Sequence, residues 1–522
     1  MNKRNNTSEI FKNSNLDKRT YLILGIIFLV GISIRFIFIP YDIPLTLDSF
    51  SGYFLYALDI SILGHLPNYT LSQSGWSEFL ALFFILFHSD HLIDYMNLQR
   101  MISVIISGIT IIPIFFICKK FFNKNYALIG ALIFAFDPRI ILNSILGISE
   151  PLYILAISCG ILLFLNSNKI FNYSSFGFFA WVTIIRPEGL FWFVSFSIIY
   201  VLRFRNKRRD LMMYLACLGV FIIVLSPIVI HRIQCCDDDA IIGRIIGELA
   251  NYENNLSYGT GLQSQENHYG PNFENGIKLI GWFMIPVFII FVPIGIIQIL
   301  RNLKYPEYLL LIASAVLSLP IIYSVSIAPD TRYIFPLIPI FCVITLFGIN
   351  YVLGKFNREK IIYLIISLII LNSFVFLTNE ELNYDEKKAT YEISKVIIND
   401  IKGVNKGSNA VEYFKNIEIE NRWPIFEYSG GLRESYEIKK FSPSGFSNLP
   451  EFIEYNKQYG LTHIIVDKNE NLPKFLRDVF DNEDNYPYLI KDYDSSGQNG
   501  NYIVKRLIID YNIFEQINKN LK

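Results

Sequence analysis

Apolar runs close to the length of a bilayer crossing recur along most of the chain. A helix needs about 20 predominantly apolar residues to cross the hydrocarbon core, and nine stretches approach that length. This pattern predicts membrane-spanning helices at residues 21–39, 101–118, 126–143, 150–166, 211–230, 277–299, 307–327, 332–350 and 361–377.

Two further apolar stretches do not fit a single crossing. Residues 76–88 would form a helix of about 20 Å, shorter than a hydrocarbon core of about 30 Å, which favours a helix lying in the membrane interface. Residues 174–203 are too long for one easy span and are interrupted by Arg186 and Pro187. Because proline lacks the backbone N–H that a helix interior needs, we expect two short crossings there.

Short loops rich in lysine and arginine stay on the cytoplasmic side of a membrane, and this rule orients the chain. With residues 76–88 interfacial and 174–203 crossing twice, the lysine-rich loops are cytoplasmic and the count is eleven spans. A count with 76–88 crossing and 174–203 crossing once also gives eleven, but it places Lys119, Lys120 and Lys124 outside. We therefore favour the first arrangement.

This orientation predicts three regions. A cytoplasmic N-terminus, residues 1–20, precedes an all-helical membrane domain, residues 21–378, whose first outer loop is 40–99. The tail, residues 379–522, then lies on the outer side and changes character. Its apolar residues follow helical spacing in two segments and strand-like alternation in two others, which predicts a small α/β domain. The helical segments are 392–401 and 449–460, and the strand segments are 461–467 and 502–509.

Composition agrees with a multi-pass membrane protein rather than a soluble one. Hydrophobic residues make up 52% of the 522 residues, and mean hydropathy is +0.36. The formal net charge is zero, but residues 380–522 hold 24 of the 46 acidic and 19 of the 46 basic side chains. The tail is therefore acidic and the membrane part basic. The six cysteines have no metal-ligand spacing.

The predicted outer face carries isolated arginines instead of lysine clusters. Residues 40–99 contain no lysine or arginine, and Lys278 is the exception elsewhere. Arginine's planar fork suits bidentate phosphate binding, so these side chains are candidate phosphate ligands. The outer arginines are Arg100, Arg139, Arg186, Arg232, Arg244 and Arg332.

Asp48 lies just past the first apolar run, where the membrane is expected to end. It precedes a stretch in which Phe50, Phe54, Leu58 and Ile62 recur every fourth residue, which predicts a helix lying on the membrane with one face down. Asp48 either caps this helix or belongs to a functional site, and the two roles are compatible.

The order of several short motifs resembles the GT-C glycosyltransferases, particularly the branch of protein O-mannosyltransferases and aminoarabinose transferases. The first is the acid followed by "YFLYALDISILGHLP". The others, in chain order, are "QRMISVIISGI", "FAFDPRIILNSILGISEPLYIL", "GFFAWVTIIRPEGLFW", "TRYIFPLIPIF" and "GLTHIIVD".

The resemblance implies a GT-C fold of about eleven helices, with interfacial helices in the first outer loop and an extracytoplasmic α/β tail. It also implies an inverting transfer of a sugar, such as the hexose mannose, from a polyprenyl- or dolichyl-phosphate donor to an acceptor hydroxyl on the outer face. Asp48 matches the family's loop carboxylate and is expected to be the general base, a role worth about 10² to 10⁴ in rate.

The same resemblance, with the arginine argument, assigns the remaining candidates. Arg186 is expected to bind the donor phosphate, because charged residues at membrane depth usually serve a site. Alternatively it reaches the lipid head groups. Glu150 alternatively stabilises its helix start. Arg332 and Arg100 are the further phosphate candidates. Asp137 alternatively caps a helix, and Glu188 alternatively forms an ion pair with Arg186. The candidates for binding the acceptor or the sugar are Glu150, Asp137, Glu188 and Tyr53.

The sequence departs from the family pattern at three places. Ser49 follows Asp48 where the family often has a second acid, and "SQSGWSEFLA" lacks the usual His/Pro-rich element. No two tryptophans are adjacent, so the oligosaccharyltransferase motif WWDxG is absent. This argues against transfer of a whole N-glycan and against that family's metal dependence.

The resulting hypothesis is an integral plasma-membrane enzyme that acts on a lipid-linked sugar and a protein, lipid or glycan acceptor, with no nucleic acid involved. No cofactor is required, since arginines can neutralise the single phosphate of the donor, and a divalent metal is not excluded. Two alternatives stay open: a transporter or flippase of lipid-linked sugars, and a non-catalytic protein of envelope assembly.

Overall fold

The computed structural model describes most of the chain. Arg244, most of the predicted N-terminal region 1–20 and most of the predicted span 307–327 lie outside the described residues. The described residues are 16–69, 71, 73–166, 168, 170–204, 208–236, 278, 281, 284, 287–301, 303, 310–311, 313–314, 317, 331–356, 360–423, 432, 436–469, 472–496 and 502–521.

Helices dominate the structure. Short helical turns also occur at Phe50–Phe54, a π-helix, and at Thr331–Tyr333, Phe335–Leu337 and Glu483–Asn485. The α-helices are α1 (Lys18–Ile37), α2 (Leu47–Ser49), α3 (Leu55–Leu63), α4 (Ser74–Phe84), α5 (Leu92–Ile109), α6 (Ile111–Phe121), α7 (Lys124–Ala135), α8 (Pro138–Ile145), α9 (Glu150–Phe164), α10 (Ile170–Ile185), α11 (Gly189–Phe204), α12 (Arg208–Cys236), α13 (Val287–Arg301), α14 (Ile338–Phe356), α15 (Lys360–Ile397), α16 (Asn409–Glu412), α17 (Phe414–Arg422), α18 (Leu449–Lys457), α19 (Lys474–Asp481) and α20 (Tyr511–Leu521).

Among the described residues, five helical stretches are long and apolar enough to cross a membrane, and a sixth exists if α7 and α8 count as one bent span. The chain is therefore a multi-pass membrane protein, whereas the total of eleven spans stays a prediction. The five are Lys18–Ile37, Leu92–Phe121, Met212–Cys236, Phe335–Gly354 and Leu364–Ile397.

The break predicted at Arg186 and Pro187 is confirmed. Helix α10 ends at Ile185, and α11 begins at Gly189. The predicted single span 126–143 is instead two helices, α7 and α8, that meet at 49°. Asp137 explains this bend, because its side chain accepts hydrogen bonds from the backbone N–H groups of Arg139 and Ile140 and so starts a new helix.

The chain divides into two compact units. The membrane unit comprises residues 1–39, 68–80 and 100–377. The loop–tail unit comprises residues 40–67, 81–99 and 378–522, so it combines most of the predicted first outer loop with the tail.

Close helix contacts in the membrane unit depend on small residues. A Cβ added at Gly295 of α13 would lie 2.1 Å from the carbonyl oxygen of Ile344, and one added at Gly348 of α14 would lie 2.2 Å from that of Phe291. Only glycine allows the two backbones to approach this closely, as is common where membrane helices pack.

A buried arginine that the apolar pattern concealed joins three membrane helices. Arg35 of α1 is fully buried. Its Nε donates to Ser107 Oγ of α5 at 3.0 Å, and its Nη1 donates to the carbonyl oxygens of Gly31 and Ala135 at 2.7 and 2.9 Å. These bonds compensate part of the cost of removing the charge from water.

The tail contains a five-stranded mixed sheet, which confirms the predicted C-terminal α/β domain. Strand order is β2-β1-β3-β5-β4, with β1 parallel to β2 and β3, and β5 antiparallel to β3 and β4. The strands are β1 (Gly403–Asn405), β2 (Lys439–Phe441), β3 (His463–Asp467), β4 (Leu489–Asp494) and β5 (Val504–Ile509).

Strand β3 lies between two hydrophobic clusters of the loop–tail unit. Ile464 and Val466 belong to one cluster and Ile465 to the other, because successive side chains of a strand point to opposite faces of the sheet. Both faces of β3 are thus buried, which explains its continuous apolar sequence.

The aromatic helix after Asp48 is present, but its predicted orientation is wrong. Phe50, Phe54 and Leu58 have exposed fractions of 0%, 0% and 1%, so protein atoms cover the face that was expected to enter the membrane. Only Ile62, exposed by 46%, points away from the unit. The pattern of one apolar face is the same whether lipid or protein covers it.

Candidate functional site

The site of the membrane unit begins at the break between α10 and α11. Arg186 is the first residue after α10, and the break places its side chain among buried residues with an exposed fraction of 6%. A buried guanidinium requires charged or hydrogen-bonding partners.

Two carboxylates hold Arg186. Its Nη1 donates to Glu150 Oε1 at 2.5 Å, and its Nε lies 3.5 Å from Glu188 Oε2. Glu150 is the first residue of α9 and has an exposed fraction of 1%. Glu188 therefore is an ion-pair partner of Arg186, as the sequence suggested, and Glu150 is a second partner that was not foreseen.

Two tyrosines flank the same guanidinium. The Arg186 Cζ atom lies 5.9 Å from the ring centre of Tyr153 and 5.4 Å from that of Tyr333, within the range of cation–π attraction. Sequence reasoning missed both rings. Two local features of the sequence could have indicated these rings. Tyr153 follows Glu150 by three residues and so lies on the same helix face, and Tyr333 directly follows Arg332.

Arg186, Glu188 and the two tyrosines line a recess whose empty space, including its opening, is about 420 Å³, whereas Glu150 is not among the described residues that line it. Arg332, partly exposed, enters it from the short 3₁₀ turn before α14, so the structure brings both leading phosphate candidates to one recess. Among the described residues, its walls are aromatic and apolar, and its charged groups are two arginines and Glu188. The lining residues are Tyr153, Arg186, Glu188, Phe191, Trp192, Leu317, Arg332, Tyr333, Pro336 and Leu337.

One carboxylate oxygen beside Arg186 retains hydrogen-bonding capacity. Glu150 Oε2 is buried and has no hydrogen-bond partner among the described residues. A buried acceptor without a donor costs about 1 to 3 kcal/mol. Glu150 is not among the described residues that line the recess, so a ligand would reach this oxygen only if the surrounding side chains moved.

Two other candidates lie elsewhere in the membrane unit. Asp137 caps α8 and pairs with Arg139 at 3.1 Å. It lines a separate recess together with Phe136 and Asn372, so its contacts are those of a cap. Arg100 is buried in α5, with an exposed fraction of 3%, and is not among the described residues that line the Arg186 recess.

Asp48 belongs to the loop–tail unit, where it is exposed in the first turn of α2. The cap position of this helix is Thr46, so the capping role considered for Asp48 is wrong. The negative charge of Asp48 acts on Glu412 in the tail. Burial raises the pKa of the Glu412 carboxyl, and the positive charge of Lys440 opposes this shift. The negative charges of Asp48 and Asp467 raise the same pKa further.

Hydrogen bonds hold the chain on both sides of Asp48, one to a backbone carbonyl and one to a side chain. Asn416 Nδ2 of α17 donates to the carbonyl oxygen of Leu45 at 2.9 Å. Gln99 Nε2 donates to Ser49 Oγ at 3.0 Å. Tyr53, the remaining candidate, is buried in the π-helical turn that follows. The segment carrying Asp48 is thus held by both the tail and the start of α5.

We expect Asn416→Ala to reduce any Asp48-dependent activity about tenfold, because one buried hydrogen bond to the Asp48 segment is lost. Asn456→Ala is the matched control, since Asn456 is also buried in the tail and its side chain donates within its own helix, to the Phe452 carbonyl oxygen at 2.8 Å. Hydrogen exchange of residues 44–50 should increase in the first variant and not in the second. Equal exchange in both variants would contradict this role.

No metal-binding group is evident in the described part of the chain: no three His, Cys, Asp or Glu side chains there are placed to hold a metal ion. The charged groups of the Arg186 recess are instead complementary to an anion and to hydroxyl groups.

Comparison with known proteins gives the class of fold. No protein-family model and no curated protein matches the sequence. Among solved structures, the oligosaccharyltransferase of Archaeoglobus fulgidus in complex with zinc and sulfate matches with a TM-score of 0.55 at 12% identity, covering 85% of this chain and 68% of that one.

Two further structures contain a polyprenyl phosphate. The A. fulgidus oligosaccharyltransferase AglB, in complex with an inhibitory peptide and a dolichol-phosphate, matches with a TM-score of 0.55 at 12% identity over 86% of this chain and 69% of that one. ArnT from Cupriavidus metallidurans, bound to undecaprenyl phosphate, matches with a TM-score of 0.51 at 10% identity over 94% and 98%. The chain therefore has the fold of the GT-C glycosyltransferases, as its motifs indicated.

Proposed function

We propose that this protein transfers a sugar from a polyprenyl-phosphate donor to an acceptor hydroxyl. The observation that carries this proposal is the recess in the membrane unit where Arg186 and Arg332 meet aromatic walls. Guanidinium groups match the charge and geometry of a phosphate, and the apolar walls suit a lipid-linked ligand.

Glu150 and Glu188 prepare the recess for a ligand. Their contacts with Nη1 and Nε of Arg186 fix the plane of the guanidinium before a donor arrives, which lowers the entropy cost of binding. Glu150 Oε2 is the proposed acceptor for a sugar hydroxyl once the surrounding side chains move. The phosphate complexes of AglB and ArnT, which share this fold, support a donor of the same chemical class.

The proposed chemistry is a direct displacement at the anomeric carbon. The acceptor oxygen forms a bond to that carbon while the bond from carbon to the phosphate oxygen breaks, and polyprenyl phosphate leaves with the electron pair. The acceptor proton passes to Asp48, the proposed general base. A single displacement inverts the anomeric configuration.

Arg186 and Arg332 are the proposed cations for the donor's single phosphate, so the proposal requires no metal ion and excludes none. The donor sugar is proposed to be a hexose such as mannose, and the acceptor a protein, lipid or glycan. By the positive-inside rule, the loop–tail unit is assigned to the outer side of the plasma membrane. An alternative role as a flippase would use the same recess to pass the lipid-linked sugar without breaking a bond.

A donor-binding and transfer assay tests the proposal. Wild type, Arg332→Ala and Arg301→Ala are reconstituted in nanodiscs and given dolichyl phosphate, undecaprenyl phosphate or radiolabelled polyprenyl-phosphate mannose with hydroxyl acceptors. We expect Arg332→Ala to weaken phosphate binding at least tenfold, since a charge-assisted hydrogen bond is lost. Arg301, exposed in the last turn of α13, is the control and should bind like wild type.

Three outcomes would contradict the proposal. Equal binding by all three proteins would remove the recess as the phosphate site. Movement of the labelled lipid across the bilayer without product formation would favour the flippase. Loss of transfer on addition of EDTA, restored by a divalent cation, would contradict the proposal that no metal ion is required.

A further inference from the structure

The start of α4 lies against the two elements that carry the Glu150–Arg186 pair. Trp76 is completely buried, and its Nε1–H donates to the carbonyl oxygen of Gly147 at 3.0 Å. Gly147, with a φ of 70°, forms the turn between α8 and α9, three residues before Glu150. Trp76 therefore fixes the turn from which Glu150 begins its helix.

Gly75 contacts the other element. A Cβ built at Gly75 would lie 2.7 Å from the backbone nitrogen of Ile185, 2.8 Å from its Cα and 2.9 Å from the carbonyl carbon of Ile184. Ile185 ends α10 and directly precedes Arg186. Because the contact is with backbone atoms, any side chain at position 75 must displace either α4 or the end of α10.

Ser74 anchors this segment from a third side. Arg232 of α12, which is buried, donates from Nη2 to Ser74 Oγ at 2.7 Å and to the carbonyl oxygen of Leu71 at 3.2 Å. Ser74 Oγ in turn donates to Glu78 Oε1. The position of residues 74–76 is thus fixed independently of the two elements that they touch.

We propose that Ser74-Gly75-Trp76 is a positioning segment that sets the Arg186 guanidinium against Glu150, and so fixes its orientation in the recess. Gly75 fixes the backbone before Arg186, and Trp76 fixes the turn before Glu150. The catalytic consequence rests on the proposed function, whereas the positioning itself does not. A displacement of about 1 Å in a substrate-orienting group can cost about 10²-fold in rate.

Gly75→Ala is the direct test, with Gly219→Ala and Gly25→Ala as matched controls. Both controls are glycines of membrane-unit helices, α12 and α1, at which an added Cβ meets nothing within 4 Å. Trp76→Phe is the second variant, because it keeps a buried aromatic ring and removes the N–H donor to Gly147 together with part of the indole volume.

Two readouts separate positioning from catalysis. Hydrogen exchange of residues 146–152 and 183–190 in the full-length protein reports the two elements directly. Transfer kinetics with radiolabelled polyprenyl-phosphate mannose report the consequence. For Gly75→Ala we expect faster exchange in both segments and a fall in kcat of about 10²-fold with an unchanged acceptor KM. For Trp76→Phe we expect faster exchange in 146–152 alone and a fall of about tenfold, and both controls should match wild type.

The positioning proposal is overturned if Gly75→Ala exchanges like Gly219→Ala in both segments, or if exchange rises equally throughout the membrane unit. If Gly75→Ala does not fold, Trp76→Phe decides by the same readout in 146–152. Failure of the proposed function looks different: Arg186→Ala would then leave polyprenyl-phosphate binding at the wild-type level, whatever the exchange data show.

Discussion

Replacing Asp48 with asparagine is expected to reduce sugar transfer about 10²- to 10⁴-fold, the usual contribution of a general base, and to leave polyprenyl-phosphate binding unchanged. The amide has the shape of the carboxylate but cannot accept the acceptor's proton. Because Asp48 is exposed and is not the cap of α2, its replacement should not unfold the loop–tail unit. Single-turnover transfer and phosphate binding by the same nanodisc preparation measure the two effects.

Asp42→Asn is the matched control for this experiment. Asp42 is another exposed acid of the same loop, but it pairs with Lys388 of α15 at 2.7 Å. The Lys388 ammonium holds the pKa of the Asp42 carboxyl below its usual value, and such surface pairs contribute little stability. Transfer by Asp42→Asn should stay close to wild type. Equal losses in both variants would indicate a general electrostatic effect and remove Asp48 from the role of base.

Local features of the site could be predicted from sequence because each depends on neighbours in the chain. Proline at 187 cannot donate a backbone hydrogen bond, so the helix break beside Arg186 could be predicted from these two consecutive residues. The four-residue spacing after Asp48 likewise predicted a helix, and the β-branched runs of the tail predicted β3 and β5.

What covers each element depends on distant residues and could not be predicted. The same apolar face on Phe50 and Phe54 suits lipid or protein, and in the structure protein covers it: the ring centre of Phe54 lies 5.7 Å from that of Phe84. Asp59 is an example: it is fully buried and accepts a hydrogen bond from the backbone N–H of Leu432 at 3.1 Å. A charged residue inside a helix gives no local sign of such a partner.

The pairing of Glu150 with Arg186 was missed for the same reason. The two residues are 36 positions apart, with Glu150 at the start of α9 and Arg186 just after α10. The favourable interaction of an acid with the dipole at a helix start already explained why Glu150 stands in the first turn of α9. The need for glycine at position 75 could not be predicted from sequence either, because it arises from a close contact with the backbone of Ile185 and not from the conformation of Gly75 itself.

A double-mutant cycle on this pair is expected to separate folding from function. Arg186→Ala leaves the Glu150 carboxylate, with an exposed fraction of 1%, without its cation, and orphaned buried charges cost about 3 to 5 kcal/mol. Glu150→Gln should cost much less, because Glu188 still pairs with Arg186. The double variant should recover most of the stability lost in Arg186→Ala, since the orphaned charge is gone.

Sugar-transfer activity should not correlate with the free energy of unfolding across wild type, the two single variants and the double variant. Arg186→Ala and the double variant should both lack measurable transfer, because neither has the guanidinium that binds the donor phosphate. Thermal unfolding in detergent and transfer in nanodiscs measure the two properties on the same preparations. A double variant as unstable as Arg186→Ala would show that the pair is not the unit that stabilises this break. A double variant that regains transfer would show that Arg186 serves the fold alone, since a neutral site would then be sufficient for the donor.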